Sequence, residues 1–326
     1  MLRTTQITRN HVPTIRAMGF ALASAALMAA AACGDAVELK EVGDVTTPTA
    51  TPTTDSSVGT VTPETPVVQV SLSDAEKLYQ AKNYGEAAEL FAVYADQHPN
   101  NPWGHYMLGL SAWKSGDLGR AESAFVRSLE LDRKHVKTLL NLSRVHLDQG
   151  RPKDARERVA AALALDSSSA EAYRLMGRVR AALNQPNEAI AAYRIALSHD
   201  PKDVWSMNNM GLILIQGGNF EEALGPLSRA VQLDSSVAVF HNNLGIALEH
   251  TGRYTLAVQA YQNALVANAD YTKAKLSLAR VQGRQDDPSA MPVELAWLAE
   301  EFDREIRGVQ MGGPVPTPDT VTPPER

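Results

Sequence analysis

The chain has 326 residues, 44% hydrophobic and 6% aromatic, with a formal net charge of −6. That length holds about two ordinary domains or one repeat array, and the mildly acidic balance gives no electrostatic reason to expect nucleic-acid binding. The single cysteine, Cys33, excludes an internal disulfide and a multi-cysteine metal framework.

Residues 1–32 begin with Arg3, Arg9 and Arg16 and no acid, then run apolar from Met18 to Ala32. A basic region, an apolar region and small residues at a cut form the order of a secretory signal peptide. The run is short and alanine-rich, a weak candidate for a membrane span. Cys33 directly follows Ala30-Ala31-Ala32, which resembles a bacterial lipobox, although Ala30 stands where that family usually has Leu. The resemblance implies that Cys33 is lipidated and becomes the new N-terminus. Gly34 after it implies an outer-membrane lipoprotein facing the periplasm. The alternative is cleavage at an Ala-x-Ala site, leaving a soluble periplasmic or secreted chain. Beyond Cys33, residues 33–67 are rich in Thr and Pro, as in Thr47-Pro48-Thr49 and Thr62-Pro63-Glu64. Such composition buries too little apolar surface to offset the entropy of ordering, and predicts a disordered tether. As a flexible coil it reaches roughly 30 Å.

The next 200 or so residues repeat themselves, a periodicity of the kind that marks a solenoid. Ala87, Ala121, Ala155, Ala189, Ala223 and Ala257 are spaced by 34 residues without insertion. Gly109, Gly177, Gly211 and Gly245 hold a second phase, with Ser143 in the missing place. Phe91, Phe125, Val159, Tyr193, Leu227 and Tyr261 hold a third, and Leu108, Leu142, Met176, Met210 and Leu244 a fourth. Gly116, Gly150, Gly218 and Gly252, with Asn184, mark the turns, and Asp132, Asp166, Asp200 and Asp234 close successive units. The pattern is similar to the tetratricopeptide (TPR) repeat family. It implies an all-α, right-handed solenoid of six 34-residue helix-turn-helix units, 68–101, 102–135, 136–169, 170–203, 204–237 and 238–271. A capping helix extends the array to 288. One unit cannot bury its apolar stripe alone, so neighbours supply the core. In the first unit Asp74 replaces the usual Leu, Tyr94 replaces a small residue, and Ser73-Asp74-Ala75-Glu76 predicts a capping box at the start of the first helix.

A further helix is expected within 289–309, where Leu295, Leu298, Phe302, Ile306 and Val309 recur at spacings of 3 and 4. Its stripe is expected to pack on the last helices of the array; the alternative is that it enters the groove. A Pro-rich tail, 310–326, is expected to be disordered.

The sequence contains no His-Glu-x-x-His, no Gly-x-Ser-x-Gly, no Walker loop and no Cys or His pair at metal spacing. The expectation is therefore a protein with no enzymatic activity, no cofactor and no metal. In the resembling family the first helices line a concave peptide-binding groove. By phase this face carries Trp103, Tyr106 and Trp113 in the second unit, Lys137, Asn141 and Arg144 in the third, and Arg174 and Arg178 in the fourth. It continues with Trp205, Asn208 and Asn209 in the fifth and Asn242 and Asn243 in the sixth. Asn141, Asn209 and Asn243 share one position, which resembles the asparagine ladder of O-linked N-acetylglucosamine transferases, broken here by Met107 and Leu175. An amide both donates and accepts, so it can satisfy a peptide backbone of any sequence. Arg144, Arg174 and Arg178 read as a basic patch suited to carboxylates. The Arg151, Lys153, Arg156, Arg158 cluster reads as a solvated convex face. The functional expectation is a membrane-anchored scaffold that binds a peptide segment of an envelope protein. One alternative is an assembly factor resembling the type IV pilus pilotins, which serve an outer-membrane secretin. Another is an accessory subunit of a cell-wall or glycosyl-transfer enzyme. The sequence leaves the oligomeric state open.

If the lipid on Cys33 is the anchor, Cys33→Ala moves the protein from the membrane to the soluble fraction on cell fractionation; a variant that stays with membranes refutes the anchor.

Overall fold

The computed structural model describes residues 71–310; the expected signal segment, Cys33, the expected tether and all but the first residue of the expected Pro-rich tail lie outside them. The described residues form fourteen α-helices and no strand. Twelve pair into six units: α1 (Leu72–Gln80) with α2 (Tyr84–Gln97), α3 (Pro102–Ser115) with α4 (Leu118–Leu131), α5 (Val136–Asp148) with α6 (Pro152–Leu165). The series continues with α7 (Ala170–Ala182) and α8 (Pro186–His199), α9 (Val204–Gln216) and α10 (Phe220–Leu233), α11 (Ala238–His250) and α12 (Tyr254–Ala267). Then come α13 (Thr272–Val281) and α14 (Leu295–Gln310). Each helix packs mainly on its sequence neighbours, and successive first helices also touch. The six predicted units are therefore present as a solenoid. No helix among the described residues is long and apolar enough to cross a membrane.

Local chemistry sets the boundaries. Prolines stand at the start of α3, α6 and α8, where the missing N–H has no helical partner to lose. Asn101, Asp117, Ser169 and Asp203 accept first-turn backbone N–H groups. Asp132, Asp166, Asp200 and Asp234 each accept the N–H two residues on, turning the chain into the next unit. Inside each unit the turn residue is left-handed: Gly116, Gly150, Gly218 and Gly252 have φ from 71° to 90°, and Asn184 has 59°. In the first unit this place falls to Lys82, with φ 63°. The capping box does not form. Helix α1 begins one residue before Ser73, and its N-cap, Ser71, makes no side-chain cap hydrogen bond.

The distance between paired helices is decided by a small residue on the first helix and a large one on the second. A Cβ at Gly177 would stand 2.5 Å from Tyr193, one at Gly211 2.4 Å from Leu227, and one at Gly245 2.5 Å from Tyr261. Gly109 is equally tight against Phe125, at 2.7 Å. Where Ser143 replaces glycine the facing residue shrinks to Val159, and the Ser143 hydroxyl donates to the Ala155 carbonyl at 3.1 Å. The first unit compensates in a similar way. Tyr94, large where later units are small, lies over Gly104, whose Cβ would come within 2.9 Å of its ring.

Helix α13 is the first helix of an incomplete seventh unit and caps α11 and α12. The chain then reverses. Gly283 is left-handed at φ 83°. The Asp286 carboxylate accepts the Thr255 N–H at 2.7 Å, capping α12 from outside, and the Asp287 N–H donates to the Gly252 carbonyl at 2.9 Å. Helix α14 lands on the second helices α10 and α8, on the outer side of units five and four. It neither fills the groove nor lengthens the array. Its stripe buries Ala299, Phe302 and Ile306. Asp303 pairs with Arg229 at 2.8 Å and Glu305 with Arg194 at 2.5 Å. Gly225 makes room for it: the Phe302 Cβ lies 3.5 Å from where a Cβ would stand, in a place where other units carry Glu89, Ser123, Glu157, Ala191 and Gln259.

Gly177→Val forces Tyr193 out of its slot and lowers unfolding stability by about 1–3 kcal/mol in urea melts. Phe302→Ala lowers it by about 3 kcal/mol if α14 is integral to the fold; an unchanged melt shows that α14 is a passenger.

Candidate functional site

The predicted site residues lie on the first helices α3, α5, α7, α9 and α11, on the side expected to be concave, some of them exposed and others buried. Trp103 is 43% exposed, and its ring lies 5.3 Å from that of buried Tyr106. Burial pushes the Tyr106 hydroxyl above its ordinary pKa. Trp113 donates its indole N–H to Asp148 of the next unit at 2.7 Å, and Lys137 is exposed. Asn141 is buried, donating to the Tyr106 hydroxyl at 3.3 Å and accepting from Arg144 at 2.7 Å.

The arginines of the middle units are engaged. Arg144 pairs with Glu171 at 2.5 Å, and Arg174 with Asp203 at 2.7 Å. Asp203 is almost fully buried and also caps α9, accepting from the Ser206 backbone and hydroxyl. Arg178 is half-buried on the same face. Arg144 and Arg174 are thus each neutralised by an acid about one repeat further along the chain. Outside the groove, Arg151 pairs with Glu122 and Asp154, so part of that basic cluster is likewise internally matched.

Units five and six hold a continuous amide run. Asn243 donates to Asn208 at 2.9 Å across the two units; Asn208 donates to Asn209 and Asn242 to Asn243, both at 3.4 Å. All four are buried, and the Asn242 Oδ1 has no hydrogen-bond partner among the described residues. Beside them Trp205 meets Phe240 edge-on at 5.0 Å, with Leu212 and Ile246 half-buried. The face therefore has apolar ends around Trp103 and Trp205, and a middle of matched charge.

The sequence places Glu249 and Arg280 on the groove face, and their pairing escaped it. Glu249, buried at the end of α11, receives two bonds of 2.7 Å from Arg280 of α13 and one of 2.8 Å from the Tyr261 hydroxyl. Burial raises the Glu249 pKa, but the hydrogen bonds from Arg280 and Tyr261 outweigh it and the net shift is downward. Burial and the adjacent carboxylate both hold the Tyr261 hydroxyl protonated well beyond its ordinary range. The available signal was the separation of 31 residues between Glu249 and Arg280, close to one repeat. Among the described residues, no group of three or more His, Cys, Asp or Glu is placed to hold a metal ion. The asparagines are held inside the array, and the accessible part of the first helices offers aromatic and aliphatic surface at Trp103, Trp205, Leu212 and Ile246.

Comparison with known proteins follows this geometry. One tetratricopeptide-repeat family model matches residues 112–179, and a second matches 174–238 and 208–272. Cellulose synthase operon protein C of Pseudomonas fluorescens is 33% identical over 95 residues, 28% of this chain and 7% of that one. The chain thus spans a small part of that relative. Among solved structures, the APC/C hetero-tetramer Cut9-Hcn1 matches with a TM-score of 0.57 and 18% identity, over 64% of this chain and 42% of that one. A tetratricopeptide-repeat protein from Parabacteroides merdae matches with a TM-score of 0.54 and 12% identity, over 64% and 82%. At these identities the likeness to solved structures is one of fold.

The lowered Glu249 pKa gives a pH dependence of stability. Its contribution is complete above the unfolded-state value, about 4.3 for a free glutamate, and is lost as pH falls through the lower folded-state value. Urea melts should therefore show wild type losing more stability than Glu249→Gln on acidification from neutrality to below that folded-state value; equal losses refute the cluster's role.

Proposed function

We infer that this chain, built of tetratricopeptide repeats, is a protein-interaction scaffold that holds an extended peptide segment of an envelope protein along its concave face and performs no catalysis itself. The observation that carries this reading is the accessible apolar surface of the first helices, with Trp103 exposed in the second unit and Trp205, Leu212 and Ile246 half-buried in the fifth and sixth over the buried asparagine run that joins those two units. The matched charges of Arg144 and Arg174 make the ionic part of the groove structural. Recognition then rests on the apolar side chains, and an acidic peptide gains little from Arg144 and Arg174.

On this reading the lipid on Cys33 fixes the scaffold to the outer membrane, and the Thr/Pro segment lets it stand off into the periplasm. The partial identity to a protein named for a cellulose synthase operon favours, as a second reading, an accessory subunit of an enzyme that builds an envelope polysaccharide. The pilotin-like role predicts instead a secretin assembly defect on deletion.

The test is capture after mild crosslinking in the native host, comparing wild type with Trp103→Ala/Leu212→Glu. Recovery of the groove partner should fall about tenfold, the effect of losing an aromatic anchor, with the thermal melt retained. Equal recovery by both proteins moves the interaction off the concave face.

A further inference from the structure

A cavity of about 950 Å³ lies between the α11–α12 turn, the connecting residues 287–294 and the first turn of α14. None of the residues predicted for the groove lines it. Its polar lining is rich in acceptors and short of donors. Three carboxylates, Glu221, Asp287 and Glu294, stand there with one guanidinium, that of buried Arg253. Arg253 is already engaged: its Nε donates to the Met291 carbonyl at 3.0 Å and its Nη1 to Glu221 at 2.7 Å. The Thr251 hydroxyl donates to the Ala247 carbonyl at 2.9 Å, and the Ser289 hydroxyl to Asp287 at 2.7 Å, so each offers the cavity only lone pairs. Asp287 and Glu294 are exposed, and Glu294 makes no ion pair among the described residues. His250 lies flat on Phe220 at 4.2 Å. Just beyond the lining, Arg284 is held by Tyr254 and Asp286 caps α12, so these two opposite charges offset each other. The apolar part of the lining is accessible: Trp297 is 54% exposed and Met291 76%, with Leu298 half-buried.

We propose that this cavity receives an arginine side chain from a basic segment of a partner protein. A guanidinium carries five donors and no acceptor, which is the complement of the lining. Its planar head pairs with carboxylates and stacks on an aromatic face, and its apolar stem suits Trp297, Met291 and Leu298. The edge of the cavity already shows this mode of binding. The Arg284 guanidinium lies 3.9 Å from the centre of the Tyr254 ring, and its Nη2 donates to the Tyr254 hydroxyl at 2.6 Å. Charge also separates a partner from the chain's own ends. Residues 34–70 carry six carboxylates and one lysine, and residues 311–326 two carboxylates and one arginine. The basic residues 1–32 are the expected signal segment. The site is separate from the groove, so the array would hold two segments at once.

The probe is a fluorescein-labelled Gly-Ser-Leu-Arg-Leu-Arg-Ser-Gly peptide, titrated with the full chain by fluorescence anisotropy. Saturable binding that weakens as salt rises is expected. Replacing both arginines by citrulline, which keeps the shape and removes the charge, should abolish it. Trp297→Ala should weaken binding about tenfold, the factor for a lost aromatic anchor. Glu294→Gln should weaken it about threefold, the order of an accessible ion pair. Both positions are exposed, and both variants should melt as wild type. Glu86→Gln, at an exposed acid of the first unit, should leave the affinity unchanged. So should Trp103→Ala/Leu212→Glu, which separates this site from the groove. No saturable binding, equal binding of the citrulline peptide, or equal losses in Glu86→Gln and Glu294→Gln overturns the proposal. Displacement of the peptide by an equal concentration of spermidine also overturns it, in favour of a small polyamine. A benzophenone-bearing residue at Met291 adds an arm in the native host. An adduct mapped to an arginine-bearing segment of another protein supports the site. An adduct with residues 1–70 or 311–326 of this chain, with a second copy, or with nothing overturns it.

Discussion

The array rests on a steric exchange between a first helix that gives up its side chain and a second helix that fills the space. Where the first residue is glycine, as at Gly177 and Gly245, a tyrosine ring lies closer than any Cβ could allow. Where it is serine, as at Ser143, the facing residue is valine. Interiors packed to this density tolerate exchanges that conserve volume and resist those that do not. The same rule explains the first unit, where Tyr94 is large and Gly104 facing it is small. Because each unit contacts only its neighbours, this spacing sets the rotation from one unit to the next, and with it which side chains reach the concave face.

On that face, stability and recognition draw on the same residues. Successive first helices are joined by polar contacts about one repeat apart: Trp113 to Asp148, Arg144 to Glu171, Arg174 to Asp203, Asn243 to Asn208, Arg280 to Glu249. Asp203 and Glu249 are buried carboxylates, and a buried charge must be paired. Their arginines serve the solenoid first and are not available as a carboxylate receptor. What remains accessible is the apolar surface at Trp103 and at Trp205, Leu212 and Ile246.

The C-terminal segment gives the array two unlike sides at its last units. Helix α14 covers the outer side of units four and five, held by buried Phe302 and Ile306 and by ion pairs to Arg194 and Arg229. The connection leading to it caps α12 from outside through Asp286. Helix α13 closes the core below it with Ala274 and Val281, both fully buried, while Leu276 on its other side is exposed among the described residues.

The amino-acid sequence alone determined the repeat length, the number of units and the positions of the turns. These are local or strictly periodic properties: Gly116, Gly150 and Asn184 are legible as left-handed residues because their chemistry acts within one turn, and a column of small residues at a constant interval has few structural meanings. Lys82 was not legible as a left-handed residue, because the turn imposes φ 63° on a residue with no preference for it. Neither was the absence of a capping box at Ser73, since the helix found an earlier start. The partners of Arg144, Arg174 and Arg280 were decided only by tertiary structure. Residues 27 to 31 apart become neighbours through the rotation between units, which no window of sequence encodes. The landing place of α14 belongs to the same class. Its amphipathic stripe shows that the helix must be buried. Only the connection along the α11–α12 turn, the gap at Gly225 and the placement of Arg194 and Arg229 select the outer side of α10 and α8, because an apolar stripe carries no direction of its own.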